Sequence, residues 1–315
     1  GTRRRWKGAV MLMQSFEMRL TFVSAVAVSL VSCQTMGHEV LTDAHALYQR
    51  GDNAGAAQLY EDVVATSSDL TSAYFYLGNS YDNLYRSARR GETDNGRLLE
   101  LAIDNYLAAV DRATGPARLT QAMRYLAVAY GPDKANDPAS AEPLLQELIR
   151  ADPSNPDPYL ALAKLREKAG RRDEAEQMLL RAGDLGEDAG AYLELAGFYS
   201  RSQQFEQAIE ALRMRAMLEP DNPEAFCTIG TYYWEKVFRD SRLTDEEEEE
   251  YVVLGLRAVD RALMLNADYV DALVYKNILT RMQANKTEDD ERRAQLVAEA
   301  DRLRNRAVEL AGRRR

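Results

Sequence analysis

Residues 192–220 read YLELAGFYSRSQQFEQAIEALRMRAMLEP. Tyr192, Leu195, Ala196 and Tyr199 recur at spacings of three and four, so they fall on one face of a helix. Ala208 and Leu212 mark the apolar face of a second helical run, and Pro220 closes the stretch. Gln203-Gln204-Phe205 is the turn between the two, with the Phe205 ring placed to plug the joint. Ala196 and Ala208 are small, which lets the two helices approach closely. A pair of this kind cannot bury its apolar face alone and has to stack on neighbours.

The same string recurs in both directions. Tyr159, Leu162 and Ala163 precede it by 33 residues, and Phe226, Ile229, Gly230 and Tyr233 follow it by 34. Further upstream come Met123, Leu126, Ala127 and Tyr130, and before them Tyr74, Leu77, Gly78 and Tyr81. Each is followed by a second run carrying a small residue: Ala102, Ala141, Ala175 or Gly255. A shorter first pair over about 41–69 holds Ala44, Leu47, Gly51, Ala56 and Tyr60. A degenerate last pair runs from Tyr269 to about Leu310, with Lys276-Asn277 where the others place Leu and a small residue, which reads as a solvent-facing capping helix or else as a polar patch facing a ligand. Two units are lengthened, by about 12 residues around Arg86–Gly96 and about 13 over 236–248. In the third unit Pro143 suits only a first helical turn, which points to Ser140 as the N-cap. Thr244 with Glu247 reads as a capping box, and Glu246–Glu250 as a solvated helix start favoured by the helix dipole.

This string and period resemble the tetratricopeptide repeat (TPR), over about 41–310. The resemblance implies an all-α TPR solenoid, a right-handed superhelix of about seven helix pairs, with the array spanning 41–311. It implies that the first helices line a concave groove that binds a protein or peptide partner without chemistry. The groove residues it implies are the polar or odd ones among the core string. They are Phe75, Asn79 and Asn83 in the second unit, Arg124 in the third, and Lys164 and Lys168 in the fourth. Leu193 and Arg201 follow in the fifth unit, and Thr231 and Trp234 in the sixth. Trp234 has two readings of equal weight, an interface aromatic or a ring packed under the 236–248 insertion.

Net charge is −10, and residues 1–32 hold five basic groups against one acid, so the remainder carries −14. Such a body is a poor match for nucleic acid or anionic lipid. A groove of mixed charge in that body points to a partner segment that is extended or helical and not strongly acidic.

Residues 1–32 stand apart from the array. Leu20–Val31 is an apolar run too short to span a bilayer, preceded by Arg19 and a basic start, as in a secretory signal. Met18 would make a compact start for it. Leu30-Val31-Ser32-Cys33 resembles the bacterial lipoprotein processing site. That resemblance implies cleavage before Cys33, a lipid on its thiol, and a tether over 33–40. Gln34, which is not Asp, implies the periplasmic face of the outer membrane. If residues 1–32 are misread, the chain is a soluble cytoplasmic adaptor.

Catalytic constellations are missing. The two histidines, His38 and His45, sit in the tether and the first helix, and two cysteines make neither a disulfide framework nor a metal site. Cys227 beside Phe226 reads as a small buried hydrophobe. The reading is a binding protein with no catalytic residue, cofactor, metal or small-molecule substrate. A regulatory partner of an envelope enzyme is a third reading.

Overall fold

The computed structural model describes residues 39–66, 71–185 and 189–313. Cys33 and the expected signal lie outside the described residues. Glu39 and Val40, expected in the tether, are already helical.

Among the described residues all regular structure is helical, and it forms two compact units divided at Asp152–Pro153. The first holds α1 (residues 39–49), α2 (Asn53–Thr66), α3 (Thr71–Leu84), α4 (Thr93–Asp111), α5 (Pro116–Tyr130) and α6 (Pro138–Ala151). The second holds α7 (Asp157–Lys168), α8 (Arg172–Leu185), α9 (Ala189–Arg201), α10 (Phe205–Leu218), α11 (Pro223–Arg239), α12 (Asp245–Leu265), α13 (Val270–Lys286) and α14 (Asp290–Arg313). Odd-numbered helices pair with the even-numbered helix that follows, and within each unit each pair stacks on the next.

The repeat string is the core of both units. Leu77, Leu126, Leu162, Leu195 and Ile229 are buried, each beside a buried small residue, Gly78, Ala127, Ala163, Ala196 or Gly230. On the second helices Ala56, Ala102, Ala141, Ala175 and Ala208 all have zero exposure. Those alanines sit where two helices touch, and a longer side chain there would separate them. Gly255 takes that place in α12, where an added methyl would meet Leu279 and Tyr233 at 3.1 and 3.2 Å.

The turns repeat as well. Gly170 follows the fourth unit's first helix at φ +76°, and Gln203 stands at the same place in the fifth unit at φ +58°. Glycine adopts this left-handed conformation freely, whereas Gln203 carries strain of about 1 kcal/mol there. Joints between units use charge where apolar contact runs out. Arg215, buried near the end of α10, donates to Glu219 at 3.2 Å and to Glu224 of α11 at 2.9 Å. Arg166, which replaces the second aromatic of its unit, is largely buried and reaches Glu174 at 3.7 Å.

Helix starts follow the sequence with one correction. The Thr244–Glu247 capping box forms, and the acidic run opens α12. In the third unit, however, Asp137 is the N-cap and its side chain accepts from the Ser140 backbone N–H. Pro143 therefore lies inside α6, past the first turn. The carbonyl it cannot serve belongs to Ala139, an exposed residue near the helix start, where the missing bond costs least.

The insertion after Tyr81 is a pinned turn. A short 3-10 helix, Ser87–Arg89, precedes α4, and the buried Asn95 amide ties it by accepting from Arg86 N and donating to Arg86 O and Arg89 O. In the last pair Lys276 is neither a ligand-facing patch nor a solvent-facing residue. It is half-buried and bridges Asp260 of α12 at 2.8 Å and Glu299 of α14 at 3.5 Å, an ionic joint where the other units use leucine.

Candidate functional site

In the second compact unit the first helices α7, α9 and α11 present neighbouring lining residues. Between α7 and α9 is a cavity of about 690 Å³ bounded by Leu160, Ala161, Lys164, Glu167, Lys168, Arg172, Glu194 and Arg201. Between α9 and α11 is a second, of about 590 Å³, bounded by Ser200, Arg201, Gln203, Phe205, Tyr232, Glu235, Lys236, Arg239, Asp240 and Arg242. Arg201 lines both, so the two cavities adjoin across three repeats and together make one candidate groove.

Arg201 is fixed by a two-pronged contact, Nε and Nη2 each 2.9 Å from a Glu167 oxygen. That bridge spans two repeats and orients a guanidinium that is itself exposed, which favours a planar, two-donor presentation to a ligand. Lys164 and Lys168 lie one helical turn apart on α7, both exposed.

The other wall comes from the second insertion. α11 continues to Arg239 and a short turn leads to α12, which adds Lys236, Arg239 and Arg242 to the groove. Asp240 organises this wall. Arg242 donates to it at 2.8 and 3.0 Å and Lys236 at 3.1 Å. The Arg242 and Lys236 contacts, with the Arg242 backbone N–H, hold the Asp240 carboxyl well below the usual carboxylate range. Burial raises the pKa of the Tyr232 hydroxyl, which lies in the lining. The lining holds seven cations (Lys164, Lys168, Arg172, Arg201, Lys236, Arg239, Arg242) and four carboxylates (Glu167, Glu194, Glu235, Asp240). The lining is mixed in charge, with an excess of cations.

The ten residues expected in a groove separate into groups. Lys164, Lys168 and Arg201 come together in this one. Leu193 is exposed on α9 but outside both cavities. Thr231 is half-buried, and its hydroxyl donates to Cys227 O of its own helix at 3.1 Å. Trp234 packs on Phe238 at 5.5 Å and on Tyr275 of α13 at 5.4 Å, so its ring serves the α11–α13 joint. It lies one residue from the groove-facing Glu235, a turn of about 100° around the helix.

The residues of the first compact unit need two corrections. Phe75 is buried against Tyr106 and Tyr125, and Asn79 is buried where it accepts from the Tyr106 hydroxyl at 3.3 Å. Neither offers a free surface, because the large Tyr106 ring fills the space beside them. Asn83 is exposed and donates to Asn53 Oδ1 at 3.1 Å, and exposed Arg124 lies over the Tyr125 ring.

Sequence reasoning missed the insertion wall and Arg172. One signal was available: adding nine to the first aromatic of units four, five and six gives Lys168, Arg201 and Glu235, all in the lining. Lys236 and Arg239 had no such signal, since they line the groove only because α11 is long.

Residues 134–188, less than half of the chain, match the tetratricopeptide repeat family model. No curated protein matches in sequence. Among solved structures, the C-terminal part of a TPR repeat-containing protein from Cytophaga hutchinsonii is 13% identical with a TM-score of 0.59, over 86% of this chain and 98% of that one. YrrB, described as a TPR protein with an unusual peptide-binding site, is 18% identical with a TM-score of 0.44, over 59% of this chain and 88% of that one. A thermophilic TPR protein from Thermus thermophilus is 18% identical with a TM-score of 0.42, over 62% of this chain and 98% of that one. The Cytophaga likeness shows the fold: this is a TPR-fold protein.

Proposed function

We propose that the chain is a protein-binding scaffold that takes a polypeptide segment of its partner across α7, α9 and α11. The observation that carries this is the pair of adjoining cavities, sharing Arg201 and lined from three successive first helices. A segment lying there would contact several repeats at once. The lining alternates apolar patches (Leu160, Ala161, Phe205) with polar groups, as a peptide with mixed side chains requires. The role is binding, without chemistry.

The proposal includes an anchor. The Leu30–Cys33 sequence supports a lipid on Cys33, which would hold the scaffold on the periplasmic face of the outer membrane. The competing reading is a soluble cytoplasmic adaptor. Labelled fatty acid incorporation and membrane fractionation separate them: Cys33→Ser should lose both label and attachment. Retained attachment in that variant refutes the anchor.

The groove is tested by photo-crosslinking in intact cells. A photoreactive residue at Lys164 or Arg239 should capture a protein. The same residue at Met217 or Met264, exposed on second helices, should not. Equal capture at all four positions would remove the groove as the binding surface.

A further inference from the structure

We infer that the segment bound in this groove is acidic, with carboxylates interspersed among apolar residues. The inference rests on the groove being a polypeptide site, and it adds the chemistry of the occupant.

Three observations carry it. The first is charge contrast. The second unit carries 25 basic and 32 acidic residues, a net −7, yet its groove lining carries seven basic and four acidic, a net +3. A basic segment would be drawn to the unit at large and disfavoured in the groove itself, whereas an acidic one is favoured at the groove against a unit of its own sign.

The second is how the lining carboxylates are used. Glu167 is held by Arg201, Glu235 pairs with Arg239 at 2.7 Å, and Asp240 is shared by Lys236 and Arg242. These three of the four lining acids are neutralised within the wall, so they repel an incoming carboxylate less than free charges would, and Glu194 stays exposed on α9. Lys168 and Arg172 are exposed and hold no carboxylate among the described residues, leaving two cations to receive the ligand.

The third is what lies between the charges. Leu160, Ala161 and Phe205 give apolar floor, and Ser200, Gln203 and Tyr232 give hydrogen-bonding groups. A nucleic acid or polyphosphate would use only the cations, and its length would carry it onto a surface of like charge. A short acidic polypeptide uses all three kinds of group and ends where the cationic lining ends.

The test is a polarisation titration of the full chain with labelled peptides of about twelve residues. One places Glu at every second position among Leu and Ala; two others carry Gln or Lys in place of Glu. The Glu peptide should bind about tenfold more tightly than the Gln peptide and more tightly still than the Lys peptide, with affinity falling as salt rises. Lys168→Glu with Arg172→Glu, both exposed, should cost the Glu peptide about tenfold while circular dichroism is unchanged. Polyphosphate and single-stranded DNA serve as polyanion probes. Equal affinity for the three peptides, preference for Lys, or polyanions matching the Glu peptide with the same loss in the variant would each overturn the inference. If groove crosslinking still captures a protein while the Glu peptide shows no preference, the acidic assignment alone fails. If no position captures a protein, the scaffold reading fails with it.

Discussion

Replacing Gly78 with alanine isolates what the small residue of the repeat does. A methyl built there stands 2.8 and 2.9 Å from Cδ1 and Cε1 of Tyr106, and 3.2 Å from the Ala102 carbonyl oxygen. Tyr106 has little room to give, because it is fully buried and its hydroxyl donates to Asn79 and Asp82, both at 3.3 Å. Overpacking of this kind costs about 1–3 kcal/mol. Against it, alanine gains about 1 kcal/mol over glycine in a helix. Gly96 of α4 supplies the control, since it lies in the same helix pair and a methyl there meets nothing within 4 Å. Gly96→Ala should be neutral or stabilising, and Gly78→Ala should fall below it by about 1–3 kcal/mol. Denaturant unfolding followed by circular dichroism measures both, and because the residue change is the same, the propensity gain largely cancels in the difference. Equal stabilities for the two variants would refute close approach of α3 and α4 at Gly78.

Ala196→Leu and Ala208→Leu, each at a site of zero exposure, should cost about 1–3 kcal/mol and broaden or split the melting transition; a sharp, unshifted melt for both would contradict the register. Trp234→Ala should lose about 1–3 kcal/mol, less than the roughly 3–5 of a fully buried tryptophan, because its ring is only half-buried in the α11–α13 joint. Its partner binding, measured below the melting range, should be unchanged; a binding loss with the fold intact would return the residue to the interface. Gln203→Gly should raise stability by about 0.5–1 kcal/mol by relieving the left-handed backbone, as read by the unfolding midpoint, and a lower midpoint would show that its side chain matters more than the strain.

The fold was legible because its signal is repeated. The second to sixth helix pairs set Leu or Ile beside a small residue on the first helix and a small residue on the second, and those positions are all buried. The Ser140 assignment failed because Pro143 was read as a helix start, while Ala139, exposed near the helix start, left the helix free to begin earlier. The groove was legible only in part. Lys164, Lys168 and Arg201 follow from helical register, which is local. Asn79 shares the offset of Lys164 but is covered by Tyr106, a large residue distant in sequence whose direction no periodicity encodes, whereas Trp234 sits one residue short of the Glu235 register and meets Tyr275. Lys276 shows the same limit, since a lysine at a leucine position becomes interior once Asp260 and Glu299 meet it from two neighbouring helices.

The proposed binding groove across α7, α9 and α11 is tested most directly by hydrogen exchange on the chain with and without its captured partner. Amides in or beside 157–168, 189–201 and 223–242 should slow on binding, with the second helices α8, α10 and α12 changed less over their outer faces. Protection confined to the second helices, or to the first unit, would contradict it.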